Sequence, residues 1–440
     1  MKWKMAPSAM ALAAENVISE LTQNGHEAFW VGGCIRDELL GRPVHDMDIT
    51  TSAVPEEVIA IFARSIPTGL AHGTVTVLQD GHGFEVTTYR TESGYVDHRR
   101  PDHVEFVSDV KEDLRRRDFT INAICCGLDG DLIDPFGGEK DLALRVIRCV
   151  GDAEERFDED ALRMLRCVRF ASVLDFSIAK NTWRGLLRQR DKLAHIAVER
   201  VRAELDRIVE GPHPRRGLAM LARGELLARG KAPFPWTGTD LAAAAALTAG
   251  IGELESAHLR WALLLHALKQ SAQEADELLR AWTFSGTTRT SVVQVLRVRE
   301  AWTAALEAVP PGEPGGTDLL RRRWIAAVLT FGVEAAEGWL SLLAILPAAA
   351  LPAANSPADT EISPAVTTAP AREWIAQMPL KSLSELAVTG NELAEALEKR
   401  PGPWLGNMLS ALLQATASGD LLNNKQELLL EAKRMDGHEL

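Results

Sequence analysis

Cysteine is scarce and unpatterned in this chain of 440 residues. Cys34, Cys125, Cys126, Cys149 and Cys167 form no CxxC pair and no His/Cys cluster. That excludes a disulfide scaffold and a zinc site of the usual spacings. Their odd number and their place inside apolar runs predict reduced, buried thiols in a cytoplasmic protein. Basic charge is also short. Lys and Arg number 48 against 61 Asp and Glu, a net charge of −13. A uniformly basic nucleic-acid coat is therefore excluded, whereas a local basic face is not. No apolar run reaches membrane length. The longest uncharged one, Gly338 to Ala354, is interrupted by Pro347 and Pro352, and a spanning helix needs about 20 predominantly apolar residues. There is no convincing internal repeat. An HD metal-dependent phosphohydrolase signature is missing too, since His258 and His266 have no Asp at the needed spacing.

What is present is an ordinary globular composition, with 46% apolar and 25% charged residues. This excludes a wholly disordered chain, and the length suggests about three domains. Met1 to Ala14 lacks the Leu-rich block of a signal peptide and runs into the amphipathic Val17, Ile18, Leu21, so a first surface helix is expected. From Ala28 to about Gly138, β-like runs alternate with turn signals: Phe29–Val31, Asp46–Thr50, Thr74–Leu78 and Phe84–Tyr89. Ile124–Leu128 and Leu132-Ile133 flank Asp129-Gly130, a two-residue hairpin signal. Short helices fit Cys34–Leu40 and Pro55–Ala63. Beyond about Leu142 the strand signals largely stop. Helical periodicity marks Asp160–Ala171, Asn181–Leu193, Val198–Val209 and Leu218–Leu227, then Leu259–Leu268, Ala275–Trp282, Val292–Leu306 and Leu319–Leu346. Pro347 to Ala371 carries five prolines and reads as a long irregular segment or insertion. Helices resume near Ser384. The expected class is α+β, a small-sheet head followed by a long helical remainder.

Chemistry concentrates in the head. Asp46 and Asp48 stand at i and i+2 in a strand-like stretch, so period two puts both carboxylates on one face. Mg²⁺ takes one or two carboxylates plus phosphate oxygens, which suits a nucleoside triphosphate site. A DxD also occurs in sugar transferases and on solvated surfaces. Gly32-Gly33 follows a strand and opens a helix, where glycine lets backbone approach phosphates and helix-terminal N–H groups favour anions. Arg36 would add a charge-assisted contact; the plainer reading is a tight turn with Arg36 and Asp37 paired on the surface. Glu85, on a later β-like run, is either a further carboxylate for the metal or the attacking hydroxyl, or a solvent-facing strand residue. The charge run Lys111 to Asp118 reads as a solvated helix face. The apolar Phe119–Ile124 behind it would hold Arg117 on a rigid base within reach of phosphates.

At this point the residues resemble a known family. Gly32-Gly-Cys-Ile-Arg-Asp37, Asp46-Met-Asp48-Ile-Thr-Thr-Ser-Ala53 and Arg116-Arg-Asp-Phe-Thr-Ile-Asn-Ala123 are similar to head motifs of bacterial class II tRNA nucleotidyltransferases. These CCA-adding enzymes belong to the polymerase-β-like superfamily. Glu159-Asp-Ala-Leu-Arg-Met-Leu-Arg166 and Glu199-Arg200 match neck motifs in the same order, and Lys381–Asn391 and Pro401–Trp404 resemble the tail of the Bacillus-type enzymes. The resemblance implies a polymerase-β-like head at 1–140, a helical nucleotide-selecting neck at 141–210, a body at 211–346, the Pro/Ala-rich segment at 347–371 and a tRNA-binding tail at 372–440. It implies Asp46 and Asp48 as Mg²⁺ ligands, and Gly33, Arg36, Arg117, Asp160, Arg163, Arg166 and Arg169 as contacts to the incoming nucleotide. CTP, ATP and the acceptor end of tRNA are the implied substrates. Monomer and homodimer both stay open.

The neck motif also has a physical reading. On one continuous helix Asp160 and Arg163 lie about one turn apart. A carboxylate only accepts hydrogen bonds and a guanidinium only donates them. Cytosine and adenine each pair an exocyclic amine donor with a ring-nitrogen acceptor, so an Asp/Arg pair complements both. Uracil and guanine would set a carbonyl lone pair against Asp160, a costly mismatch in a desolvated site. Arg166 and Arg169 turn away from that face on an ideal helix and suit phosphates better. The alternative is a solvated helix with an i,i+4 Glu159–Arg163 pair. Glu199, Arg200 and Glu204 read as a brace, with Arg200 and Glu204 paired.

From Arg145 to Arg216 there are 16 Lys/Arg against 12 Asp/Glu, a modest basic excess that fits an RNA stem held by its phosphates. The implied reaction is template-independent transfer of CMP and AMP, the primer hydroxyl attacking the α-phosphate between two metals. Alternatives are A-adding or CC-adding specialists, a poly(A) polymerase, and an inactive RNA-binding relative. Arg90 to Asp109, including Asp97-His-Arg-Arg-Pro101, resembles the loop that CC-adding forms tend to lack. The chain ends in Gly437-His-Glu-Leu440 without the basic extension common in the polymerases.

Overall fold

The computed structural model describes residues 2–96, 100–231, 234–309, 315–347 and 364–437. The chain divides into two compact units, Met1–Thr239 and Asp240–Leu440.

The first unit is built on a seven-stranded sheet. Its strands are β1 (Ala28–Val31), β2 (Ile49–Thr51), β3 (Ser65–Gly69), β4 (Thr74–Gln79), β5 (His82–Thr88), β8 (Cys125–Cys126) and β9 (Leu132–Ile133), in the spatial order β3-β4-β5-β2-β1-β8-β9. A separate antiparallel hairpin pairs β6 (Arg90–Val96) with β7 (Arg100–Phe106). It occupies the segment expected as a loop; Asp97 to Arg99 lies outside the described residues. The first helix, Ser8–Gln23, buries Ala14, Val17, Ile18 and Leu21 as its amphipathic pattern predicts.

Two local readings need correction. Cys126 pairs with Leu132, so the connection is the five-residue Gly127–Asp131 rather than a two-residue turn. The strand expected at Asp46–Thr50 begins only at Ile49. Its approach is nevertheless extended, because Val31 N donates to the Asp48 carbonyl at 3.0 Å.

Helices Ala153–Glu159, Leu162–Val173, Lys180–Gln189, Val198–Glu210 and Pro214–Gly224 follow in the same unit. Two short strands, β10 (Val146–Ile147) and β11 (Ser177–Ile178), pair in parallel there. All five cysteines are free and buried.

Among the described residues of the second unit every regular element is a helix. Trp302 and Trp324 meet edge-to-face in its core at 4.9 Å. The helix expected over Leu319–Leu346 is two, Gly316–Phe331 and Val333–Ile345. They are separated at Gly332, whose φ of 94° breaks a helix and suits glycine. The irregular segment ends sooner than expected, since a helix spans Pro364–Gln377. Its Ala371 carbonyl accepts the Trp324 indole N–H at 3.0 Å, and Ile375 is buried, so core packing holds the segment helical despite Pro370. Leu393, Leu412, Leu428 and Ala432 form a further core from the last three helices. Among the described residues no helix is long and apolar enough to cross a membrane.

Candidate nucleotidyl-transfer site

β1 ends at Val31, and the chain then reverses through Gly32, whose φ of 76° and ψ of −116° only glycine adopts readily. Gly32 N donates to the Ile124 carbonyl at 3.0 Å. The helix Gly33–Leu39 starts immediately afterwards. A Cβ on Gly32 would lie 3.0 Å from Arg117 Nη1, so the turn and Arg117 share one place.

Asp46 and Asp48 approach β2 beside this turn. Met47 and Ile49 are buried, while Asp46 is exposed and Asp48 half-buried. Both carboxylates therefore leave the same face, as period two requires. β2 runs parallel to β5 with Ile49 opposite Val86, which sets Asp48 level with Glu85. Phe84 and Val86 are buried and Glu85 is exposed, so Glu85 leaves the face opposite to theirs. Burial, with the charges of Asp46 and Glu85, pushes the Asp48 carboxyl up to about 6, against an opposing pull from Arg117. Burial, with the Asp48 charge behind it, pushes the neighbouring Cys34 thiol up to about 12. Among the described residues no group of three or more His, Cys, Asp or Glu side chains is arranged to hold a metal. Two carboxylates leaving one face nevertheless fit Mg²⁺, which completes its shell with phosphate oxygens and water.

The arginines are held rather than free. Arg36 Nη2 pairs with Asp37 at 2.7 Å, the pairing anticipated for a plain turn, but its Nη1 also donates to Asn122 Oδ1 at 2.6 Å. Asn122 Nδ2 donates to Asp118 Oδ1 at 3.0 Å, and Asp118 Oδ2 accepts Arg166 Nε at 2.8 Å and Nη2 at 2.6 Å. Burial would raise the Asp118 carboxyl; Arg166 and Asn122 outweigh it and hold it down at about 2. Arg169 Nε donates to Glu204 Oε2 at 2.5 Å. The guanidiniums of Arg36, Arg166 and Arg169 lie 5.2, 5.4 and 4.1 Å from the Phe170 ring centre, each within cation–π range. One buried aromatic thus gathers three of the expected arginines.

Asp160 and Arg163 do not share a helix. Ala153–Glu159 ends at Asp160, whose backbone is extended, and the next helix begins at Leu162. Asp160 Oδ1 accepts Leu162 N at 3.0 Å, and Oδ2 accepts Arg200 Nη2 at 3.3 Å. The capping preference of aspartate wins over helical continuity. Arg163 Nη1 donates to Glu159 Oε2 at 2.6 Å and to the Arg156 carbonyl at 3.1 Å, and Nη2 to the Arg116 carbonyl at 2.9 Å. The one-turn geometry expected for this pair is therefore absent, and the Glu159–Arg163 pair of the plainer reading is present. The expected Arg200–Glu204 brace is replaced by Arg200 on Asp160 and Glu204 on Arg169 and Arg207.

Sequence reasoning missed Asp113, Asp118, Asn122 and Phe170. The two acids sit inside the charge run read as a solvated face, yet both are buried. The signal available was spacing, since Asp113 stands three and four residues before Arg116 and Arg117.

Comparison with known proteins supports one family along the length of the chain. Residues 28–148 match the model described as poly A polymerase head domain, 175–229 that of a probable RNA and SrmB-binding site of polymerase A, and 348–432 that of tRNA nucleotidyltransferase domain 2, putative. The CCA-adding enzyme of Geobacillus thermodenitrificans is 38% identical over 96% of this chain and 97% of its own. That of Bacillus mycoides is 35% identical over 94% and 96%. The crystal structure of the Bacillus stearothermophilus CCA-adding enzyme in complex with CTP aligns over 99% of this chain and 100% of its own, with a TM-score of 0.79 at 35% identity. With the head's glycine turn, paired carboxylates and clustered arginines in one unit, this chain belongs to the CCA-adding enzymes, a family of nucleotidyltransferases.

Proposed function

We propose that this protein adds CCA to the 3′ end of tRNA in the cytoplasm, using CTP and ATP, releasing pyrophosphate and copying no nucleic-acid template. The observation that carries the reading is the juxtaposition of the Gly32 turn and Arg117 with the crowded Asp46, Asp48 and Glu85 face. Asp46 and Asp48 would hold Mg²⁺, with Glu85 as a further carboxylate facing it. Mg²⁺ bound there supplies positive charge to the attacking and leaving oxygens. Gly33 and its helix N-terminus receive phosphate oxygens, and Arg36 and Arg117 flank them with charge. The tRNA hydroxyl attacks the α-phosphate as the bond to pyrophosphate breaks.

Asp160 and Arg163 are proposed to read the amine and ring nitrogen of C or A, and Arg166 and Arg169 to contact the nucleotide from the same segment. Asp160 keeps acceptor capacity beyond its two contacts, because an ionised carboxylate offers about four lone-pair sites. Arg163 would have to exchange part of its present set of partners for the base.

The test is extension of tRNAs ending before CCA, after C and after CC, with Mg²⁺ and CTP, ATP or both. Orderly completion of all three to CCA followed by a stop is expected. Extension of only the CC-ended tRNA, by one A, would replace the reading with an A-adding specialist. Continued addition of A would replace it with poly(A) synthesis, and no incorporation would overturn it.

A further inference from the structure

We infer that Asp113 is the positioning residue for Arg117, fixing that guanidinium against the Gly32 turn; this rests on the reading of the turn as a triphosphate site. Asp113 lies in the short helix Val110–Arg115 and its side chain is fully buried. Its two oxygens divide their work. Oδ1 accepts Arg116 Nε at 3.0 Å and Nη2 at 2.8 Å, while Oδ2 accepts Arg117 Nη2 and the Thr50 hydroxyl, each at 3.3 Å. A buried carboxylate persists ionised only when paired in this way. Burial would raise the Asp113 carboxyl, but Arg116 and Arg117 outweigh it and bring it below the ordinary carboxylate value.

The consequence falls on Arg117. Nη2 is tethered to Asp113, Nε is buried with no hydrogen-bond partner, and Nη1 stands where a Gly32 side chain would be. Only one edge of the guanidinium is thereby turned to the phosphate turn. Thr50 belongs to β2, whose approach carries Asp48, so the same carboxylate ties the arginine to the strand of the paired aspartates. Arg116 adds rigidity from the other side, since it also binds Glu92 at 3.0 Å and its carbonyl accepts Arg163. Asp113 itself is too deeply buried to touch substrate. Its effect on nucleotide binding must pass through Arg117.

A double-mutant cycle on the full chain tests this, reading the CTP dissociation constant with Mg²⁺ and, separately, tRNA binding. Arg117→Ala should weaken CTP about tenfold or more, the scale of one lost charge-assisted hydrogen bond. Asp113→Asn should weaken CTP by a similar factor with tRNA binding unchanged, and should add nothing in the Arg117→Ala background. If Arg117→Ala leaves CTP binding intact, the triphosphate reading of the turn fails and takes the inference with it. If Arg117→Ala weakens CTP but Asp113→Asn does not, or if the two losses multiply, the inference alone is overturned. Should Asp113→Asn not fold, Thr50→Val removes one hydrogen bond to the same oxygen. It should weaken CTP roughly two- to threefold, and that loss must likewise vanish in the Arg117→Ala background; persistence there overturns the inference.

Discussion

Replacing Asp118 with asparagine should loosen the contact between the Asp118–Asn122 turn and the helix Leu162–Val173 by about 2–3 kcal/mol. The side chain is 8% exposed, so solvent screens it little. Its carboxyl falls from the ordinary 3.8 to about 2, a difference of roughly two units at about 1.4 kcal/mol each. Asparagine keeps an acceptor for Asn122 or Phe119 N, but it faces the half-buried Arg166 guanidinium with a neutral oxygen. Because the chain has two compact units, global melting is a poor reporter. Amide hydrogen exchange of peptides covering 118–122 and 162–173 is the appropriate assay. At pH 7 the variant should lose roughly 30- to 150-fold in protection.

The direction with pH follows from the lowered pKa. The contribution is fully present above the unfolded value near 3.8 and is lost as pH falls through the folded value near 2. The gap between wild type and variant should therefore stay constant from pH 7 to about 4 and close only below that. Equal protection at pH 7, or a gap already closed at pH 5, would refute the assignment of the Asp118–Arg166 pair as a buried, charge-assisted contact.

Two further outcomes bear on the site. Asp46→Ala with Asp48→Ala should abolish incorporation, a loss beyond about 10³-fold, while tRNA affinity measured by filter binding changes less than about twofold; retained incorporation would remove the metal assignment. Asp160→Ala should cost about 1 kcal/mol through the lost Leu162 cap, visible as reduced protection of the helix start. It should also admit UTP or GTP in single-nucleotide incorporation, and an unaltered preference for C and A would end its role in base selection.

The legible parts of the site were those set by a short-range rule. A glycine pair after a strand must turn, and a DxD beside a buried Met47 must present both acids on one face. The single helix through Asp160 and Arg163 does not form, because aspartate before an apolar helix start favours capping and Asp160 accepts Leu162 N from an extended backbone. Gly332 between two apolar helices carried the same kind of overlooked stop signal. Asp113 and Asp118 were illegible for another reason. A run of charges looks solvated in sequence, whereas Asp113 is buried against Thr50 of the sheet with Arg116 and Arg117 of its own run as partners, and Asp118 takes Arg166 from the helix Leu162–Val173.

The charges of the site fall into two sets with opposite bookkeeping. Arg36, Arg117, Arg163, Arg166 and Arg169 each pair with a carboxylate, respectively Asp37, Asp113, Glu159, Asp118 and Glu204, and all of these but Asp118 also pair with a second arginine. Asp46, Asp48 and Glu85 have no ion-pair partner among the described residues, and burial together with their mutual repulsion raises the Asp48 carboxyl. A bare triphosphate would meet arginines already engaged by carboxylates, and an acidic face that repels it. A triphosphate arriving with a divalent cation brings what the acidic face lacks, and its oxygens can then compete for arginines whose positions are fixed in advance. Preorganised cations of this kind cost no rearrangement when charge shifts to the leaving oxygens. The same pairing would let an overall acidic chain build the proposed phosphate site, because local geometry, rather than net charge, decides where an anion is welcome.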